Sequence, residues 1–136
     1  VAIFTKRIYE PPDPTDGRRY LIDRLWPRGC RKEDAQLAGW LKDLAPSTEL
    51  RRWYGHDLRK YPEFRARYRR ELADHACDVE RLCEEARRSN ITLVYASEDP
   101  DHSNATVLHE YLQEWLRSGS LRGAALVKGE REARQR

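Results

Sequence analysis

The chain predicts an α/β fold: one domain in which a small, mainly parallel sheet is covered by helices. Three observations carry that expectation. Short apolar runs (Ala2-Ile3-Phe4, Tyr20-Leu21-Ile22 and Ile91 to Ala96) alternate with stretches of helical periodicity, the order expected of strands joined by crossovers. The second and third runs are almost unbroken in apolarity, as strands covered on both faces are. At 136 residues the chain is long enough for one hydrophobic core without staples.

The elements follow in order. Ala2-Ile3-Phe4 with Ile8 predicts a first strand, and Pro11 to Gly17 is a loop rich in turn formers. Arg19 to Leu25 predicts the second strand, ended by Pro27 and Gly29. Leu37, Trp40, Leu41 and Leu44 share one helical face, which predicts a helix over 33–44. Ala45-Pro46 breaks it, and Ser47 caps a short helix that runs through Tyr54 and is closed by Gly55. Asp57 caps a further turn. Pro62 then opens a long helix to about Arg88, with Phe64, Tyr68, Leu72, Ala76, Val79 and Cys83 as its apolar seam. Asn90 suits a left-handed helix end. Ile91 to Ala96 is the third strand, Ser97 to Asn104 a polar loop, and 104–117 a helix burying Val107, Leu108, Tyr111, Leu112 and Trp115. On this reading residues 1–118 are the α/β domain and 119–136 a basic C-terminal tail that depends on a neighbour for order.

Composition narrows the function classes. Charged residues make up 36% and apolar residues 39% of the chain, mean hydropathy is −0.94, and no apolar run reaches the roughly 20 residues of a membrane span. Cys30, Cys77 and Cys83 fall in no metal or redox spacing, and the N-terminus reads as a strand rather than a leader. Together these point to reduced thiols in a cytoplasmic protein. The net charge of +3 is too small to imply nucleic acid. Arg51, Arg52, Arg59, Lys60, Arg65, Arg67, Arg69 and Arg70 nevertheless crowd one stretch against Asp57 and Glu63 only. That stretch is either a solvated face paired with distant acids or a basic patch that attracts an anion. Walker, nucleophile-elbow, dinucleotide and zinc patterns are absent from the chain, and no motif names a cofactor.

In parallel sheets, ligands sit beyond the carboxyl ends of the strands, and two charged stretches fall there. Asp23-Arg24-Leu25-Trp26-Pro27-Arg28-Gly29 has the parts of an anion pocket: guanidinium forks suited to phosphate or carboxylate, and a rigid corner. The plainer alternative is that Asp23 pairs with Arg24 or Arg28 and locks the loop, with Trp26 packed on the core. Ser97 to Asn104 leads into a helix start whose N–H groups suit an anion, and His102 offers an acid or base in the neutral range. Capping by Ser103 or Asp101 is the alternative. His56-Asp57 is a third candidate, with Asp57 either orienting His56 or capping the next turn. A metal site from His56, His102 and Asp99 has no supporting spacing.

These stretches resemble a known family. Lys6-Arg7-Ile8-Tyr9, the Asp16-Gly17 turn, Leu21 to Gly29, Trp40 to Ser47, His56-Asp57, Phe64 with Arg67-Tyr68, Thr92-Leu93 with Tyr95-Ala96, and His102 with Asn104-Ala105 look like the domain of unknown function 488 family, in its short YeaO-like branch. The match runs from about residue 3 to 116. Two positions depart from the family pattern: Cys30 stands where an aliphatic residue is usual, and Ala38-Gly39 where an acid often precedes the Trp40 segment. The resemblance implies the α/β fold and carries Asp23, Arg24, Trp26, Arg28, His56, Asp57, His102 and Asn104 together, but it implies no reaction.

The expectation is therefore a polar pocket for a small anionic ligand, nucleotide-like or phosphorylated. Arg24, Trp26, Arg28, Asp57 and Asn104 bind it. If chemistry occurs, Asp23 orients an arginine while His56 or His102 moves a proton. Two alternatives stand beside it: a nucleic-acid-binding accessory protein using the 51–70 face, and a scaffold acting through protein contacts without a small ligand.

Overall fold

The computed structural model describes residues 2–118; the tail expected over 119–136 lies outside them. The elements are β1 (Ile3–Arg7), β2 (Arg18–Leu21), α1 (Lys32–Ala35), β3 (Gly39–Trp40), α2 (Thr48–Tyr54), α3 (Tyr61–Ala73), α4 (Ala76–Arg88), β4 (Ile91–Tyr95) and α5 (Asn104–Arg117). The strands form one parallel sheet in the order β1-β4-β2-β3. Tyr20 pairs with Leu93 and Leu21 with Val94, so the two most apolar runs are neighbours, as expected. The chain is a single α/β domain.

Burial on both faces explains the unbroken apolarity of β4. Ile91, Leu93 and Tyr95 join the main core with residues of α2 to α5, including Phe64, Tyr68, Val79 and Leu108. Val94 belongs to a smaller cluster on the opposite face, with Ile8 and Ala35, against which Trp26 and Leu37 pack. Thr92 shares that face and donates its hydroxyl to the Asp16 carbonyl at 2.7 Å. Asp16 itself is buried between Lys6 (3.0 Å) and Arg19 (2.7 Å), which compensates its lost hydration. Gly17 permits this approach: its φ is +64°, and a Cβ there would lie 1.9 Å from the Asn90 carbonyl oxygen.

Four expectations are corrected. Residues 33–44 form no continuous helix. Gln36 turns left-handed at the end of α1, and the chain then pairs with β2 through Ala38 N–H to Arg19 O (2.7 Å) and Leu41 N–H to Leu21 O (2.8 Å). An open sheet edge thus overrides the helical spacing of Leu37, Trp40, Leu41 and Leu44. The helix expected over 62–88 is two helices, broken at Asp74-His75. Unbroken, it would run about 40 Å, far beyond a sheet whose longest strands have five residues. The second strand stops at Leu21 rather than Leu25, although Ile22 N–H still reaches Val94 O at 3.0 Å. Asn90 is not a left-handed cap; its side chain ties Ala2 N–H (3.0 Å) to the Thr15 carbonyl (3.0 Å). The remaining caps fall as expected: Ser47 accepts from Leu50 N–H, Gly55 closes α2, and Asp57 accepts from Arg59 N–H.

Candidate functional site

Three strand ends open into one cleft of about 900 Å³. Tyr9 follows β1, residues 23–28 follow β2, and Ala96 to Asp99 follow β4. Ser103 and Asn104 at the start of α5 complete that side. A second wall comes from α2 and the turn after it: Arg51, Arg52, Tyr54, Gly55, His56 and Leu58. Of the residues expected in a site, the fold brings Asp23, Arg24, Trp26, Arg28, His56 and Asn104 to this cleft. Asp57 and His102 are not among its lining residues.

Asp23 braces the cleft floor. Its side chain leaves the end of β2 where the backbone ladder stops, and takes over the pairing. One carboxylate oxygen accepts Ala96 N–H and the other the Asn104 amide, both at 2.9 Å. The same amide reaches Ile22 O at 2.9 Å, and the Asp23 carbonyl accepts the Trp40 indole at 2.6 Å. Burial raises the Asp23 carboxyl above the usual range, against the bonds from Asn104 and Ala96 and the charges of Arg51 and His56, which lower it. Asp23 forms an ion pair with neither Arg24 nor Arg28, so the loop-locking bridge weighed from the sequence is not what holds this corner. Trp26 does turn inward: its indole donates to Cys30 O at 2.8 Å, and its ring meets Trp40 edge-on at 5.4 Å.

The arginines divide sharply. Arg24 clamps backbone, donating to Pro46 O at 3.0 Å and Ala45 O at 3.3 Å. The side chains of Arg28, Arg51 and Arg52 make no hydrogen bond or ion pair among the described residues, and all three exposed residues line the cleft. Of the described arginines, only Arg117, at the end of α5, shares that state. The rest of the basic stretch is accounted for. Arg59 pairs with Asp57, Arg65 with Glu110, Arg67 with Glu63 and Arg69 with Glu114, while Lys60 donates to Trp53 O and Arg70 to Ala66 O. The face from 59 to 70 is therefore the solvated, acid-paired surface that the sequence offered as one of two readings. Duplex DNA is accordingly expected not to bind at about 50 mM salt, whereas four to five phosphate contacts would give a log–log salt slope of roughly −4. A fluorescence-anisotropy titration across salt checks this.

The histidine candidates differ in placement. Gly55 and His56 both have positive φ, +53° and +58°, a conformation uncommon for a residue with a side chain. The turn sets His56 on the cleft wall, beside Tyr54. His102 instead bonds Asp99 through Nδ1 at 2.9 Å and meets the Tyr61 ring edge-on at 4.9 Å. Asp99 also accepts the N–H groups of Asp101 and His102, and Ser103 accepts Thr106 N–H. Capping thus accounts for these loop and helix-start donors. Asp57 spends its carboxylate on Arg59, whose side chain and backbone bonds hold it below the ordinary carboxylate value.

From the sequence, Arg51 and Arg52 are read only within the basic stretch and Tyr9 only within the family resemblance; none of the three is expected in the pocket. The adjacent Trp53-Tyr54-Gly55-His56 turn was the available signal, since it ends α2 with its last-turn arginines next to His56. Because the exposed Arg28 side chain makes no hydrogen bond or ion pair, Arg28→Ala is expected to change stability by under about 1 kcal/mol, read from denaturant melts.

The fold and site define a small α/β protein with an arginine-lined cleft at the carboxyl edge of a parallel sheet. The chain belongs to the DUF488 family: residues 2–126 match the group described as the inactive DUF488-N3 subclade. It is 42% identical over 113 residues to the uncharacterized protein YeaO of Escherichia coli, covering 83% of this chain and 95% of YeaO. It is 46% identical over 106 residues to the uncharacterized proteins Mb3100c of Mycobacterium bovis and Rv3073c of Mycobacterium tuberculosis, covering 78% of this chain and 89% of each. No solved structure matches the chain.

Proposed function

We propose that the protein binds a small anionic ligand, nucleotide-like or phosphorylated, in the cleft and does not transform it. The observation that carries this reading is the set Arg28, Arg51 and Arg52, whose side chains make no hydrogen bond or ion pair among the described residues and which line one cavity. Nearly every other described arginine has a carboxylate or carbonyl, so three together without one are poised for an anion from outside. His56 on the same wall adds a further donor.

Binding is favoured over processing on three grounds. The family description carries the word inactive. Both oxygens of Asp23 are already committed to structure, and His102, itself outside the cleft lining, is tied through Nδ1 to Asp99 of that lining. Neither Cys30 nor Cys83 lines the cleft, and burial pushes the Cys83 thiol up to about 12. The three unpaired cysteines support placing this binding protein in the cytoplasm; no helix of the described residues is long and apolar enough to cross a membrane.

The test is titration calorimetry with a panel of nucleotides and sugar phosphates, followed by phosphorus NMR of the mixtures. Each guanidinium–phosphate contact contributes about 1.5–3 kcal/mol, so Arg28→Ala and Arg52→Ala are each expected to weaken binding at least about tenfold. The ligand signals should persist unchanged. A panel in which no anion binds defeats the proposal, and turnover of a bound ligand defeats its non-catalytic half.

A further inference from the structure

Four large apolar side chains are exposed among the described residues: Phe4, Tyr9, Leu25 and Leu58, at 41, 49, 59 and 53%. Single exposed apolar residues are ordinary on a soluble surface. Here, however, three of the four, Tyr9, Leu25 and Leu58, line the same cleft as the unpartnered arginines. Each leucine shares its stretch of the lining with a guanidinium group. Leu25 precedes Arg28 by three residues on the segment after β2, and Leu58 lies on the turn after α2, whose Arg51 and Arg52 line the same cleft. The cleft is thus built of two walls, each presenting a positive group and a bare leucine.

Tyr9 is fixed at the rim. Its hydroxyl donates to the Arg28 carbonyl at 2.9 Å, and the Arg7 guanidinium lies over its ring at 5.2 Å from the centroid. Arg7 is itself held by the Ser97 and Ala96 carbonyls. The ring is therefore supported from one side while half its surface stays open to solvent. A cavity of about 900 Å³ is also far larger than a lone phosphate requires; sites of roughly 300–1,000 Å³ hold whole cofactor-sized or drug-sized ligands.

We infer that the ligand is amphiphilic: an anionic group at Arg28, Arg51 and Arg52 joined to a planar apolar body that packs on Leu25, Leu58 and Tyr9. That is the chemistry of a nucleoside monophosphate or aryl phosphate, as opposed to a sugar phosphate or inorganic phosphate. The inference rests on the anion-binding reading above and narrows it. Polar sugars offer nothing to two exposed leucines, whereas a base or aryl ring removes them from water.

The experiment compares, by calorimetry, inorganic phosphate, ribose 5-phosphate, phenyl phosphate and the four common nucleoside monophosphates. They are titrated into wild type and into the double variant Leu25→Ser/Leu58→Ser. Partial burial of two leucines is worth about thirtyfold, so at least one ring-bearing phosphate should bind that much more tightly than ribose 5-phosphate. In the double variant, whose melt should match wild type because both positions are exposed, the ratio should fall towards one while ribose 5-phosphate affinity holds. If ribose 5-phosphate binds as tightly as every ring-bearing phosphate, or if the ratio survives in the double variant, this inference is overturned and anion binding stands. If no phosphate binds wild type, the anion-binding reading itself fails.

Discussion

Asp23→Ala is expected to lower stability by about 3 kcal/mol, since bonds to a half-buried carboxylate are each worth about 1.5–3 and part of that is offset by the desolvation the charge suffers. The variant leaves Ala96 N–H and one donor of Asn104 facing a void where β2, β4 and α5 meet. For a domain of this length the loss corresponds to roughly 10 °C in Tm. Asp23→Asn should fall between the two, because a carboxamide presents one acceptor to two donors. The pH dependence has a definite sign. Burial holds the folded pKa of Asp23 above its ordinary 3.8, so between those two values the native state binds more protons than the unfolded chain. Its contribution is therefore greatest near and below the ordinary value and declines as pH rises through the folded pKa. The advantage of wild type over Asp23→Ala should accordingly be larger near pH 4 than near pH 7. Denaturant melts of both proteins at the two pH values check it; a constant difference would contradict a half-buried, structural carboxylate.

The second large effect appears only with ligand. At a hundredfold its dissociation constant, the tightest phosphate of the panel should stabilise wild type by about 2.7 kcal/mol, again roughly 10 °C in Tm. Arg28→Ala, which barely alters the unliganded melt, should lose most of that gain at the same ligand concentration. Arg28→Lys should recover it only in part, because an ammonium keeps the charge and lacks the planar fork. Equal ligand-induced shifts in wild type and Arg28→Ala would remove Arg28 from the site.

The contrast between these two residues also shows what local sequence can express. Ser47, Gly55, Asp57 and the strand at Ile91 were legible because caps and apolar runs are local signals. The position of the Asp23–Arg28 loop at a strand end was legible for the same reason. What Asp23 does there was not, since its partners lie 73 and 81 residues away. The pairing of Arg65 and Arg69 with acids on α5 likewise spans 45 residues. That pairing, with the local bonds of Arg59, Lys60, Arg67 and Arg70, separates Arg51 and Arg52 from the rest of the basic stretch. The helix expected over 33–44 failed on a similar contest, in which pairing with β2 outweighed a correct apolar spacing.

In the proposed function the exposed Arg28, Arg51 and Arg52 guanidinium groups take the anion. A crystal structure of the protein grown with the tightest-binding nucleoside monophosphate tests this most directly. The account predicts phosphate density between Arg28 on one wall and Arg51 or Arg52 on the other, with Asp23 still bonded to Ala96 and Asn104. A structure in which the Arg28 guanidinium lies on Glu98 or Asp99, with no phosphate in the cleft, would contradict it.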